Sequence, residues 1–408
     1  MSSAETSAAG APAEVDVTDP GYWQDSHARL RRARRQHPVA LTQSGEPIVL
    51  RYADVERLAT DPRVASNALG FVLRAVPEGP LAEWWRRMLT NLNGPRHVAL
   101  RGLVSRAFTP RAVERKRARI GELTREILAR HADAGRLDLP NDYADELPMR
   151  LICETLGVPD SDQADFARWS KSLGRVLAAV LTPELRREGE GAARAMHERI
   201  GAILAERRAA PRDDLLSALI GAARESGTDF ADDDLVTLVV NLIFGGHDTS
   251  RSMLSVGLAL LLFHPGELAR LRANPGLAAG AGEEILRYEP IVPWMAREAR
   301  LALELPGGVR VGAGELLYLS ILSANRDPEV FPDPDRFDIG RSGARSFSFG
   351  WGPHHCLGAA LARAEIQQAL PALLDCCAEL EPLIDAPRWV PHTFIRRIES
   401  LPLRFRMR

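Results

Sequence analysis

The chain has 408 residues, 45% of them hydrophobic, and carries 52 Lys+Arg against 54 Asp+Glu for a net charge of −2. So even a balance gives no global field to draw nucleic acid or an anionic membrane surface, and no apolar run reaches the roughly 18 residues needed to span a bilayer. Four cysteines, two of them adjacent, build no disulfide framework and suit a reducing cytoplasm.

Met1 to Val17 is rich in Ala, Ser and Glu and lacks both a basic segment and an apolar one, which predicts a disordered tail over 1–17 and not a signal. Val39 to Leu41 and Pro47 to Leu50 flank the Ser44-Gly45 turn signal and predict a hairpin. Helical periodicity follows at 52–60, 95–107, 111–132, 143–156, 162–180, 184–209 and 213–225. Asp232-Asp233-Asp234 then opens a helix that runs to about Phe263, roughly 45 Å long. Leu235, Val236, Leu238, Val239, Val240, Leu242, Ile243 and Phe244 make it apolar around most of its circumference, as in a helix that crosses the middle of a protein. Further helices are expected at 265–273, 278–288 and 357–378, with strand signals at 309–320 and 401–406. The fold class is therefore mainly α with a smaller β region.

Three stretches carry chemistry. In the middle of the long helix, Gly245-Gly246-His247-Asp248-Thr249 places two glycines where each costs about 1 kcal/mol relative to alanine. Glycine there permits close approach of a flat ligand, and Thr249 can bond the preceding turn's carbonyl and open a groove. His247, adjacent to Asp248, is expected to face a neighbouring helix. Second, Glu284 and Arg287 stand one turn apart, close enough to pair.

Third, Phe349-Gly350-Trp351-Gly352-Pro353-His354-His355-Cys356-Leu357-Gly358 presents one cysteine on a glycine-rich turn that leads into a helix. Cys356 reads as a metal ligand, with a helix N-terminus aimed at its sulfur. Gly350, Gly352 and Gly358 let the backbone pass close to a large flat partner. Cys153, Cys376 and Cys377 show no C-x₂-C spacing that would complete a zinc site, and no C-x-x-C-H motif offers thioether attachment.

The pattern F-G-x-G-x-H-x-C-x-G resembles the haem-binding loop of the cytochrome P450 family, the haem-thiolate monooxygenases. Gly245 to Thr249 resembles that family's oxygen-binding stretch, A-G-x-D/E-T, with Gly245 in place of the alanine. The likeness covers about residues 35 to 408, including Asn325-Arg326-Asp327-Pro328 and Leu401-Pro402-Leu403-Arg404-Phe405. It implies one domain over 18–408 with the cytochrome P450 fold, in which haem b lies between the long central helix and the helix after the cysteine ligand.

By the same resemblance Cys356 ligates the haem iron, Phe349, Gly358 and Gly245 border the haem, and His97, Arg101, Arg297 and His354 hold its two propionates. Thr249 holds dioxygen and a water while Asp248 relays protons, and Glu284, Arg287 and Arg336 (within Pro334-Asp335-Arg336-Phe337) close a buried structural network. The family's pocket regions correspond to Phe71, Trp84, Trp85, Met88, Asn241, Phe244, Trp294, Met295 and Phe394.

The activity implied is insertion of oxygen from O2 into a small, largely apolar or aromatic substrate, by hydroxylation or epoxidation. The resemblance also implies electrons from NAD(P)H through a separate ferredoxin and ferredoxin reductase. An oxidase of another outcome (phenol coupling, nitration, peroxide-driven oxidation) and a non-catalytic haem sensor are the alternatives, the second opposed by the intact Asp248-Thr249 pair. Arg96, Arg101, Arg106, Arg111, Arg115, Lys116, Arg117 and Arg119 concentrate positive charge near the helix that flanks the thiolate side, a surface suited to an acidic ferredoxin.

Overall fold

The computed structural model describes residues 11–67, 70–178, 180–226, 228, 230–390 and 394–408. Helices dominate and enclose one of their number. Asp232–Leu262, 31 residues long, is the central helix, with Val239, Ile243, Val256 and Leu261 fully buried. It packs against Glu146–Leu156, Gln163–Arg175, Pro183–Ala209, Ala278–Tyr288 and Ala359–Cys376. Of its three opening aspartates, Asp234 does the capping, accepting the Ala231 N–H at 2.9 Å, while Asp232 and Asp233 pair with Arg208 and Arg87. No single helix among the described residues is long and apolar enough to cross a membrane.

A six-stranded mixed sheet covers one side, in the order Glu14–Val15, Val39–Thr42, Pro47–Val49, Leu316–Ser320, Trp294–Ala299, Val64–Ser66. The strand that matters most for the site is Trp294–Ala299, which runs antiparallel to both of its neighbours. Alternation sends Met295 and Arg297 to one face and Trp294 to the other, where its ring meets Tyr22, Trp23 and Tyr318. A smaller sheet joins Cys377–Pro382, Pro402–Met407 and Arg136–Asp138.

Most expected elements form within a few residues of their bounds. The departures have local causes. The tail boundary at Val17 is too late, because Glu14–Val15 pairs in parallel with Leu41 and Thr42 and buries Val15; residues 1–10 lie outside the described set. Helix 111–132 is two helices, Pro110–Glu114 and Arg117–Arg130, and helix 162–180 stops at Arg175. The helix after Cys356 ends at Cys376, since Cys377 already pairs as strand with Met407. Pro20–Gln36 is a helix that periodicity misses: its buried stripe includes Ser26 and Ala33 beside Tyr22 and Leu30, in a segment otherwise rich in arginine.

Candidate active site

Cys356 is fixed by its own backbone. Its N–H donates to the Phe349 carbonyl at 2.7 Å, and the loop between them turns at Gly350 and Gly352, whose φ values are 69° and 70°. Both lie in the left-handed region that glycine enters without steric cost. At Gly352 a Cβ would also press to 3.3 Å from the Ala59 carbonyl oxygen. Beyond the cysteine, Gly358 caps Ala359–Cys376. Burial among protein atoms pushes the Cys356 thiol up, and the Gly358 N–H directed at the sulfur opposes that push by favouring thiolate. The residue is nonetheless accessible.

On the central helix Asn241, Leu242, Gly245, Gly246 and Thr249 are the accessible positions in an otherwise buried run. Their spacing places them on one face. A Cβ at Gly245 would meet no atom within 4 Å, whereas one at Gly246 would crowd Ile152 at 3.0 Å, so the first glycine opens the face and the second permits helix packing. Thr249 Oγ1 donates to the Gly245 carbonyl at 2.6 Å. Its proton being committed there, what the hydroxyl presents to this face is an acceptor. Asp248 points the other way, fully buried, and accepts from Arg397 Nη2 at 2.6 Å. Gly174 passes directly over this pair; a Cβ on it would lie 2.4 Å from the Arg397 nitrogen and 2.5 Å from the Asp248 oxygen. His247 faces neighbouring elements as expected, bonded to Ser170 Oγ at 2.9 Å and the Asp145 carbonyl at 3.0 Å.

The four expected propionate contacts come together in part of one neighbourhood. The His97 and His354 rings lie 4.2 Å apart, Arg101 donates to the His355 carbonyl at 2.7 Å, and buried Arg297 reaches, among the described residues, only the Ala296 carbonyl and the Met295 sulfur. Burial, then His97, Arg297 and Arg101, hold His354 down to about 3. Burial brings Arg297 down to about 10, and burial followed by Arg101 lowers His97. Among the described residues no carboxylate forms an ion pair with any of the four, and His97 Nε2 is buried without a partner. A buried guanidinium such as Arg297 without a counter-charge is costly; a ligand that brings two carboxylates resolves that cost and gives the His97 and His354 rings and half-buried Arg101 an acceptor. The thiol, the open glycine face and this cluster together fit a haem.

The structural network needs one correction. Glu284 accepts from Arg287 at 2.7 and 2.8 Å and from Arg341 Nε at 3.2 Å, while the Arg336 side chain is 67% exposed and near Asp338 alone. Arg336 contributes its carbonyl, which accepts from Arg287 and Arg341. The third cation is therefore Arg341, because the turn at residues 333–336 sends the Arg336 side chain outward.

Of the pocket candidates, Trp84 packs edge-to-face on Phe244 at 5.4 Å, Met88 and Trp85 are buried in the same core, and Met295 lies beside Arg297. Trp294 and partly buried Phe394 pack with each other on the opposite face of the sheet from Met295. The side chain of Phe71 lies outside the described set.

Two buried groups that the motifs do not reveal are Arg397 and Glu365. Glu365, on the helix after Cys356, is 1% exposed; its one partner among the described residues is Ser250 Oγ on the central helix. Burial pushes it up to about 8. A carboxyl raised in the folded state is neutral and harmless at low pH, and it costs stability as pH rises through that value. Glu365→Gln should therefore melt close to the parent near pH 5 and above it at pH 9, by a margin on the order of a few kcal/mol. Equal melting temperatures at pH 9 would show that the carboxyl already ionises freely.

The family model described as Cytochrome P450 matches residues 165–275 and 280–382. Cytochrome P450 107B1 of Saccharopolyspora erythraea is 37% identical over 402 residues, covering 95% of this chain and 96% of that protein. The 6-deoxyerythronolide B hydroxylase of the same organism is 33% identical over 398 residues, covering 94% and 96%. The crystal structure of CalO2 superposes with a TM-score of 0.89 at 33% identity, over 96% of this chain and 99% of that one.

Proposed function

The chain belongs to the cytochrome P450 family of monooxygenases, and from that premise we propose that it hydroxylates or epoxidises a small, largely apolar organic molecule in secondary metabolism. It would act in the cytoplasm as a single domain that takes in the strand Glu14–Val15. The observation that carries this reading is the cluster of His97, Arg101, Arg297 and His354, in which buried Arg297 has no carboxylate partner among the described residues, beside an accessible Cys356. Cys356 would hold haem b by its iron and His97, Arg101, Arg297 and His354 by its carboxylates, and the haem would supply the activation of dioxygen. Thr249 offers its oxygen as an acceptor on the open face, positioning a proton-bearing group there, and Asp248, anchored by Arg397, keeps one buried oxygen, Oδ1, free of partners for proton transfer.

The reading is tested at the thiolate. The reduced protein with carbon monoxide should show the red-shifted Soret band of thiolate-ligated haem, and Cys356→His should abolish that band while haem still binds. Persistence of the band in the variant would sink the assignment.

Electrons are proposed to come from NAD(P)H by way of a ferredoxin reductase and an acidic ferredoxin. Within the expected basic patch, Arg117 and Arg119 are already neutralised by Glu114 and by Glu122, Glu126 and Glu154, and Arg96 by Asp234. Arg106, Arg111 and Arg115 are exposed with no ion pair among the described residues. They lie on or next to Pro110–Glu114 and Arg117–Arg130, which pack on the helix after Cys356. Arg111→Glu with Arg115→Glu should slow reduction by ferredoxin at low ionic strength and leave peroxide-driven turnover unchanged. Equal reduction rates for variant and parent would place the docking surface elsewhere.

A further inference from the structure

Asn241 shares the accessible face of the central helix, four residues before Gly245 and eight before Thr249. Both its amide oxygen and its amide nitrogen are buried without a hydrogen-bond partner among the described residues, and the same is true of the Trp84 indole nitrogen. Phe244, three residues after Asn241 on the same helix, packs edge-to-face with the Trp84 ring, their centroids 5.4 Å apart. Protein interiors satisfy nearly all buried polar groups. Unsatisfied atoms on Asn241 and Trp84, two residues linked through Phe244, therefore call for partners that a ligand can bring.

We propose that Asn241 and Trp84 form the polar end of the substrate site and select neutral molecules bearing a hydroxyl or carbonyl oxygen, an inference that rests on the monooxygenase reading above. An indole N–H can only donate, so its complement is an oxygen acceptor. A carboxamide both donates and accepts, so it matches a hydroxyl, a ketone or an ester. Neither residue is charged, so a charged group placed between them would be desolvated without a counter-ion from either. Phe244 and Met88 leave the rest of the wall apolar. Eight residues separate Asn241 from Thr249, about 12 Å along the helix at 1.5 Å per residue. The oxygen function that is recognised thus lies about two helical turns from the Thr249 hydroxyl.

The test compares cyclopentadecanolide, a neutral macrocyclic ester, with cyclopentadecane, its hydrocarbon counterpart, by titrating the shift of the resting haem spectrum. The parent holoenzyme should bind the lactone about tenfold more tightly, the scale of one hydrogen bond. Asn241→Leu combined with Trp84→Phe should bring that ratio to within about twofold, by weakening the lactone more than the hydrocarbon. A parent that binds neither probe or fails to discriminate, or a double variant that keeps the full preference, overturns the proposal. Ligand-free Asn241→Leu holoprotein should melt no lower than the parent, since an unpaired amide is removed; a lower melting temperature would assign Asn241 to the fold and also overturn it. Loss of the thiolate carbon monoxide band in the parent would instead mark failure of the underlying monooxygenase reading.

Discussion

Glu284→Ala should give little haem-loaded protein and a melting transition lowered by about 3–5 kcal/mol, the usual consequence of removing one member of a buried ion pair. Glu284 is 2% exposed and Arg287 3%. The carboxylate accepts from Arg287, from Arg341 and from the Asp338 N–H, so its loss strands two guanidinium groups and one amide together. Arg287 in turn ties the carbonyls of Asn325, Pro334 and Arg336, and Asn325 holds the Phe347 N–H and Ser348 at the entry to the cysteine loop. The damage should therefore reach the haem site even though Glu284 does not touch it. Arg341→Ala should cost a substantial part of the same stability, whereas Arg336→Ala should cost less than about 0.5 kcal/mol, as expected of an exposed side chain. Thermal unfolding and haem content of the three variants separate these outcomes. Equal losses for Arg336 and Arg341 would reject the assignment of Arg341 to the network.

That correction shows how far a linear motif reaches. Glu284 and Arg287 are legible because an i, i+3 pair is set by helix geometry alone, and the long central helix is legible because its apolar residues leave no solvent face. Cys356, Gly350 and Gly352 are legible because a positive-φ turn next to a ligand constrains residue type strongly. The third cation is not, since it depends on how an irregular loop folds back, and two arginines five residues apart are equal candidates until the turn is seen. Arg397 was hidden for a related reason: it stands 149 positions from Asp248 in sequence. One signal was available, two adjacent arginines between Ile395 and Ile398, an apolar setting that predicts buried cations in need of partners. Glu365 likewise interrupts an apolar helical run without a cation one turn away. The helix Pro20–Gln36 carried a readable start, Asp19 before Pro20, and Asp19 does accept the Gly21 N–H at 2.9 Å.

Arg397→Met should have the second largest effect, on the order of 3–5 kcal/mol, by leaving the Asp248 carboxylate buried and unpaired. Asp248 is fully buried and Arg397 4% exposed, so water cannot take over the role of the guanidinium. Thermal unfolding of variant and parent at neutral pH reads the loss. Asp248→Asn with Arg397→Met removes both charges and should recover most of the lost stability, a coupling that the double-mutant cycle reads directly. It should not recover product formed per electron consumed, because the acid beside Thr249 is gone. Recovery of both quantities together would mean that Asp248 and Arg397 serve the fold alone, and that protons reach the Thr249 face by another route.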